Sequence, residues 1–504
     1  MSKINVIPDK TFGVTLDIRV QGSGKTYSAL KQTVDLAKGD EDVIFVAPSY
    51  DFCEELVNVV ENNFGFDKVM TAHGRPYFCP YCTEELYKYI DPIYICKICE
   101  SRDNCGYIAQ NEELKNGKKG RLIFTVQHNL GVLTHLLPDA KIIMDDVDIN
   151  SVIWRSYEIT REEYEANKKF FKLTKDDYPL LYELFWERNY DVIGTKSFRE
   201  ELERWQRVAL DVFKETGKLP FKTKLPSILY EAVMAGEHDY RGNKVFWNDV
   251  ELEERIKKNL IRYNRASLTP AEEQWFKELE AEGKKIRRIR NEIENPNLKV
   301  YQCKDKLNPG MTLLDKDGRL TKTGLRYLEQ AIETAKKHKQ AGIKVLVVAP
   351  KRVIEKGREL GIIPNDVVTD YFYSPKSRGS NFYKDFDTII IIGVLFKPLS
   401  SYNHPMYDGF EDKKEIARLE VGLEVKDYIG RIRPFTKRDR KLVLLLSNIK
   451  VPGLKVDELI LSKNLPQKAQ EGLSHVTKYK IIRQIYLYLK ITRSPKVQEI
   501  AERL

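Results

Sequence analysis

Gly22-Ser23-Gly24-Lys25-Thr26 lies between a strand-like run, Val14 to Val20, and a stretch of helical spacing, Lys25 to Ala37. Strand, glycine-rich turn and helix in that order are the setting of a phosphate-binding loop. Glycines let backbone N–H groups approach phosphate oxygens, and a helix N-terminus favours negative charge. The spacing predicts that Gly22, Ser23, Gly24, Lys25 and Thr26 cradle the phosphates of ATP. Lys25 reaches the β- and γ-phosphates and Thr26 holds Mg2+. The full eight-residue pattern begins with a glycine, and here that position is Arg19.

Outward from this loop the chain alternates. Asp42 to Pro48 reads as a buried parallel strand, and a helix starts near Ser49 or Asp51. Arg121 to Val126 is another strand. Lys141 to Asp146 is a strand ending in the acidic pair Asp145-Asp146, where a Walker B motif belongs. Asp145 is the expected Mg2+ carboxylate. Asp146 stands where a glutamate commonly polarises the attacking water, and it is one methylene shorter. This alternation predicts a parallel α/β lobe over residues 1–150.

Residues 151–297 are rich in Glu, Lys, Arg, Tyr and Trp and read as a mainly helical insertion. Within them the basic run Lys284 to Arg290 reads as a solvated helix face. The α/β rhythm returns in a second lobe, 321–465. Leu325 to Lys339 is its first helix, and Ile343 to Ala349, Val367 to Phe372, Thr388 to Gly393 and Lys441 to Leu446 are its strands. Residues 466–504 form a helical tail. In this lobe Arg378, Gly379 and Asn381 precede an apolar strand, and Gly430-Arg431-Ile432-Arg433 follows it. Two arginines so placed can cross an interlobe cleft and stabilise charge on a transferred phosphoryl group.

Seven cysteines are present, five of them between Cys79 and Cys105. Such clustering in a chain without secretory features points to a metal centre. Cys79, Cys82, Cys96 and Cys99 form two CxxC pairs, the ligand set of a zinc ribbon, which leaves Cys105 spare. An iron–sulfur site would instead use Cys96, Cys99 and Cys105 with Cys79 or Cys82.

Lys and Arg exceed Asp and Glu by ten over 504 residues, which suits a polyanionic partner. The N-terminal residues lack the apolar region of a signal peptide, and no stretch approaches the roughly 20 apolar residues that span a bilayer. The longest apolar run, Thr388 to Phe396, reads as a strand. The sequence therefore predicts a soluble intracellular (cytoplasmic) protein with no membrane partner.

In this order the landmarks resemble superfamily 2 helicases, and within them the XPD/DinG-like iron–sulfur group. They run from the Gly22–Thr26 loop through Phe45-Val-Ala-Pro48, the cysteine cluster, Asp145-Asp146-Val-Asp148, Arg378-Gly-Ser-Asn381 and Leu395-Phe-Lys-Pro398 to Gly430-Arg-Ile-Arg433. The resemblance implies two RecA-like parallel-sheet lobes, with a cysteine-cluster insertion at about 72–115 and an arch-like insertion at 151–297. Residues 298–320 then return to the first lobe. It implies an ATP-dependent DNA helicase acting 5′ to 3′ on single-stranded and forked DNA. ATP would lie between Lys25, Thr26 and Asp145 on one side and Arg431 and Arg433 on the other, with Arg378, Gly379, Asn381 and Gly430 lining the nucleotide. The position of the cysteines favours a [4Fe-4S] cluster, with Zn2+ as the alternative. Departures are plain: there is no Gln-containing motif before the loop, Asp427 replaces a Gln in the last motif, and Asp148 replaces a His. Leu313 to Gly318 is the positional candidate for motif III. An archaeal or viral relative is compatible with these departures. Two other readings stay open: a degenerate helicase-like nucleic-acid-binding protein, or a zinc-containing P-loop scaffold.

Overall fold

A computed structural model describes residues 13–79, 96, 99, 102–193, 195–216, 218, 225–241, 244–290, 297–304, 313–372, 374, 382–397, 399–434, 439–461, 464–465 and 467–477. The first lobe begins with β1 (Val14–Asp17), β2 (Val43–Ala47), β3 (Val69–Thr71), β4 (Leu122–Val126) and β5 (Lys141–Asp145). Every residue of β2 and β4 is buried, as strands covered on both faces must be. Helices Lys25–Lys38 and Tyr50–Phe64 cover one face. Ser49 caps the second of them by accepting from the Phe52 N–H.

After β5 the chain leaves the lobe as β6 (Trp154–Glu158) and comes back through β7 (Gly236–Arg241) and β8 (Lys244–Asp249). These three strands form an antiparallel sheet. Helices between them, among them Arg161–Leu173 and Lys196–Thr216, bury Phe171, Phe198, Leu202 and Trp205 in a core of their own. The insertion is thus mainly helical, with a three-stranded antiparallel sheet.

Two further strands, β9 (Leu260–Asn264) and β10 (Ile286–Ile289), rejoin the first sheet, whose order is β10-β1-β9-β5-β2-β4-β3, all parallel. The expected insertion of 151–297 is therefore too long. The basic run Lys284–Arg290 is not a helix face but holds the edge strand β10, where charged side chains guard open backbone groups.

The second lobe contains β11 (Leu298–Cys303), β12 (Val345–Ala349), β13 (Val368–Tyr371), β14 (Thr388–Ile392), β15 (Lys441–Leu446) and β16 (Glu458–Ile460), all parallel in the order β13-β12-β14-β15-β11-β16. Residues 298–303 do not return to the first lobe, because β11 takes β15 and β16 as neighbours and buries Val300 and Tyr301 there. Leu313 and Leu314 also pack in this second core. Two α/β lobes with wholly parallel sheets stand as expected. Of the tail, 467–477 is helical and the rest lies outside the described residues. No described helix is long and apolar enough to cross a membrane.

The insertion enters and leaves by paired strands, with Trp154 opposite Asn248, so its ends lie about 5 Å apart. Replacing residues 155–247 by a short Gly/Ser linker is expected to leave both lobes folded. Near-ultraviolet circular dichroism and melting of the shortened chain test this. Loss of cooperative melting would refute the independence of the insertion core.

Candidate functional site

Gly24 ends the loop in the left-handed region at φ 83° and caps helix Lys25–Lys38 without any side-chain hydrogen bond to the first turn. The leading N–H groups of that helix therefore point into a cleft, the arrangement that receives anions. Gly22 is also left-handed at φ 79°, and any side chain there would run into the Arg433 guanidinium from the second lobe.

Lys25 Nζ donates to the Arg19 carbonyl at 2.6 Å. Burial pushes its ammonium below the usual lysine range, against the pull of Asp146, Asp145, Asp17 and Asp427. Thr26 Oγ1 donates to Asp145 Oδ2 at 2.7 Å. Hydroxyl and carboxylate side by side are hard oxygen donors that suit Mg2+, which usually takes one or two protein oxygens together with phosphate and water. Burial pushes the Asp145 carboxyl upward, while Asn264 and Thr26 hydrogen bonds oppose this.

The position that usually holds the first loop glycine has a definite use here. Arg19 folds back onto Asp17, with Nε to Oδ1 at 2.8 Å and Nη2 to Oδ2 at 2.6 Å. Arg262 of β9 meets the same carboxylate at 2.5 Å and donates to Asn264 Oδ1 at 2.8 Å. Asn264 in turn donates to Asp145 Oδ1 at 2.8 Å. A continuous chain of charge-assisted bonds thus links the loop, through β1 and β9, to the acidic strand end.

Asp146 occupies the left-handed region at φ 57°, and so does Arg433, also at φ 57°. Such backbone costs about 1–3 kcal/mol per non-glycine residue and gathers at functional sites. Across the cleft Arg431 Nη2 stands 3.6 Å from Asp146 Oδ2, and Arg265 Nη1 stands 3.8 Å from Asp146 Oδ1. Arg265 also reaches Glu272 at 3.2 Å, and Glu272 accepts from the Tyr263 hydroxyl. Burial lifts the Glu272 carboxyl to about 7, with Arg265 opposing. Asp427, one turn before Arg431, keeps a buried Oδ1 without a hydrogen-bond partner. Burial raises its carboxyl, and Arg265, Asp146, Arg431 and Lys25 all act on it.

The cleft has a volume of about 320 Å³. Of the predicted residues it brings together Gly22, Gly24, Lys25, Thr26, Asp145, Asp146, Arg431 and Arg433, with Ser23 in the loop between them. Gly430 packs against Gln21 beside it, where a larger residue would clash. Arg378, Gly379 and Asn381 lie outside the described residues. Sequence reading missed Arg262, Asn264 and Arg265. The strand Leu260–Asn264, which Arg265 directly follows, alternates too weakly to stand out, and arginine on a buried strand is an uncommon reading.

Cys79 closes the short helix Arg75–Phe78 and Cys105 opens helix Gly106–Asn116. Burial raises the Cys96 thiol. Arg75 opposes this, and Cys79, Cys105 and Cys99 are near enough to add to it. Cys82 lies outside the described residues. Among the described residues no group of three or more His, Cys, Asp or Glu is arranged to hold a metal ion. Cys53 and Cys303 are buried away from this cluster, and burial pushes the Cys53 thiol up to about 12.

No family model matches the chain, and no curated protein matches it. Solved structures do. An apo XPD structure is 14% identical, with a TM-score of 0.46 over 86% of this chain and 92% of that one. S. tokodaii Xpd4 is 12% identical, with a TM-score of 0.48 over 92% of this chain and 95% of that one. A Dbp5 variant of S. cerevisiae bound to RNA and ADP BeF3 is 10% identical, with a TM-score of 0.38 over 93% of this chain and 90% of that one. At these identities the likeness concerns the fold.

Asp17 is fully buried between two guanidinium groups. Asp17→Ala is expected to cost about 3–5 kcal/mol, because two buried cations lose their partner. Burial would raise the Asp17 carboxyl, but the Arg19 hydrogen bond and the Arg262 and Arg19 charges outweigh it and hold it below its ordinary value. A lowered pKa contributes stability that is full above the unfolded value and lost as pH falls through the folded one. Thermal melts from pH 7 down to pH 3 should therefore show a component of acid destabilisation in the wild type that Asp17→Asn lacks. Equal melting of wild type and Asp17→Ala at pH 7 would refute the bracing role.

Proposed function

We propose that this chain is an ATP-dependent DNA helicase that hydrolyses ATP between its two lobes and separates duplex DNA. The observation that carries the reading is the Arg431–Asp146 approach, 3.6 Å across the cleft that also contains Lys25, Thr26 and Asp145. Phosphates rest on the loop N–H groups and Lys25. Mg2+, held by Thr26 and Asp145, would neutralise phosphate charge. Asp146 orients a water whose oxygen attacks the γ-phosphorus while the bond to the ADP oxygen breaks. Arg431 and Arg433 stabilise the charge on the transferred group. Because these arginines belong to the second lobe, hydrolysis and release alter the force between lobes, and that motion is what a translocase needs. The net charge of +10 supports a polyanionic track, held mainly by backbone contacts.

The clustering of Cys79, Cys96, Cys99 and Cys105 in the sequence supports a thiolate-bound group that stiffens a short segment, although the described thiols are not arranged to hold a metal in this structure. The place of the cysteines in the sequence, between the glycine-rich loop and Asp145, favours [4Fe-4S] over a zinc ribbon by the resemblance. A second reading, a helicase-like protein that binds nucleic acid with little hydrolysis, is favoured by the double pairing of Asp146 with Arg265 and Arg431.

ATP turnover with and without single-stranded DNA separates the two readings. Lys25→Ala should abolish turnover, and Asp146→Asn should lower it by about 10²-fold or more, as for a lost general base. Retained turnover in Lys25→Ala would sink the nucleotide site. Cys105→Ser is expected to bleach visible absorbance of anaerobically purified protein and to abolish duplex separation while sparing stimulated ATPase. Stoichiometric zinc with a silent Cys105→Ser would replace iron–sulfur by the zinc alternative.

A further inference from the structure

The large insertion carries a cavity of its own. Its volume is about 380 Å³, within the roughly 300–1,000 Å³ of ligand pockets. Phe170 lines it from helix Arg161–Leu173, Asp177 and Tyr178 from the turn that follows, and Arg204, Trp205 and Val208 from helix Lys196–Thr216. The floor is Tyr178, Trp205 and Ala209, all buried. Polar groups of the turn are satisfied locally. The Asp177 and Tyr178 N–H groups donate to the Thr174 carbonyl, and the Thr174 hydroxyl donates to that of Phe170. What remains facing the cavity is mostly apolar.

The rim is apolar on one side and charged on another. Val208 is 45% exposed, whereas the other exposed residues of helix Lys196–Thr216 are charged or carry a hydroxyl. Leu173, one turn beyond Phe170, is 86% exposed. Apolar surface opened to water beside a cavity marks a place that another molecule covers. Arg204 donates to the Asp177 carbonyl and lies over the Tyr178 ring, 5.5 Å from its centroid. Both contacts hold the guanidinium in place, and neither neutralises it. Glu201, one turn back, is buried and accepts from the Leu180 and Leu181 N–H groups at 3.2 and 2.7 Å. The exposed Asp177 side chain belongs to the same mouth. A phosphate backbone would find one cation there and meet a carboxylate. The nearby Lys168 and Lys172 lie over the Trp186 ring and do not line the cavity.

We propose that this cavity docks a segment of a partner protein. A bulky apolar side chain fills it, an acidic neighbour pairs with Arg204, and a basic neighbour pairs with Asp177. A large side chain in a desolvated pocket, ringed by polar contacts, is the usual anchor of a protein interface. The inference is independent of the nucleotide reading, because no residue of the interlobe cleft lines this cavity.

Selection of phage-displayed random short peptides on the full chain tests this, followed by fluorescence anisotropy of the selected peptides. Wild type should enrich a bulky apolar residue with an acid on one side and a base on the other. Val208→Trp, which fills the rim from an exposed position, should weaken these peptides at least about tenfold, the loss of an anchor contact. Arg204→Glu should weaken them about tenfold, and exchanging the peptide's acid for lysine should restore binding to that variant alone. Asp177→Lys should do the same for the peptide's base. Rescue by the exchanged peptide shows that the variants fold. Selected peptides without a shared pattern, equal binding by wild type and Val208→Trp, or no rescue in either charge exchange overturns the proposal. So does displacement of the peptide by a single-stranded oligonucleotide that Val208→Trp no longer binds, which would make nucleic acid the occupant. Self-association of the chain that Val208→Trp abolishes would overturn it in favour of a second copy.

Discussion

Asp17 has no exposed surface and carries two guanidinium groups, and the geometry of the whole cleft descends from that carboxylate. A buried charge must be paired or it forces the fold apart. Arg19 fixes the start of the loop, and its carbonyl receives Lys25. Arg262 draws β9 against β1 and passes the linkage to Asn264, which holds Asp145. Departure from the usual glycine at position 19 therefore does not leave a loose loop. The side chain that a glycine would lack becomes a brace for the turn.

A similar bracing holds Asp146. Asp146 lies between cations from two lobes, Arg265 from β9's end and Arg431 from helix Lys413–Arg431. Its backbone and that of Arg433 are both left-handed, so strain sits on both walls of one cleft. Strained backbone persists where the surroundings over-determine it. Here the over-determination comes from Glu272, fixed by a capping box with Thr269, which orients Arg265. Small displacements of the second lobe thus change the pairing of Asp146.

The insertions are separable from this machinery in different ways. The large one has its own core and paired entry strands, and its base touches the second lobe where Trp154 and Phe246 flank His404. Among the described residues flanking the cysteines, the rings of Tyr50, His73, Tyr77, Phe78 and Tyr107 pack in series.

The sequence by itself determined the elements whose signals are local. Glycine spacing and a following helix marked the left-handed turn ahead of helix Lys25–Lys38, unbroken apolar runs marked β2, β4, β12, β14 and β15, and two acids marked the end of β5. Arg431 and Arg433 were legible because their motif is short and contiguous. Only the tertiary structure decided which sheet each later strand joins. Pairing of β9 and β10 with β1, and of β11 with β15, is fixed by contacts far apart in sequence, and no local pattern encodes a partner. It also decided the roles of Arg262, Asn264 and Arg265. A buried arginine on a strand reads as a surface residue until the carboxylate that neutralises it, 245 positions away, is brought within 2.5 Å.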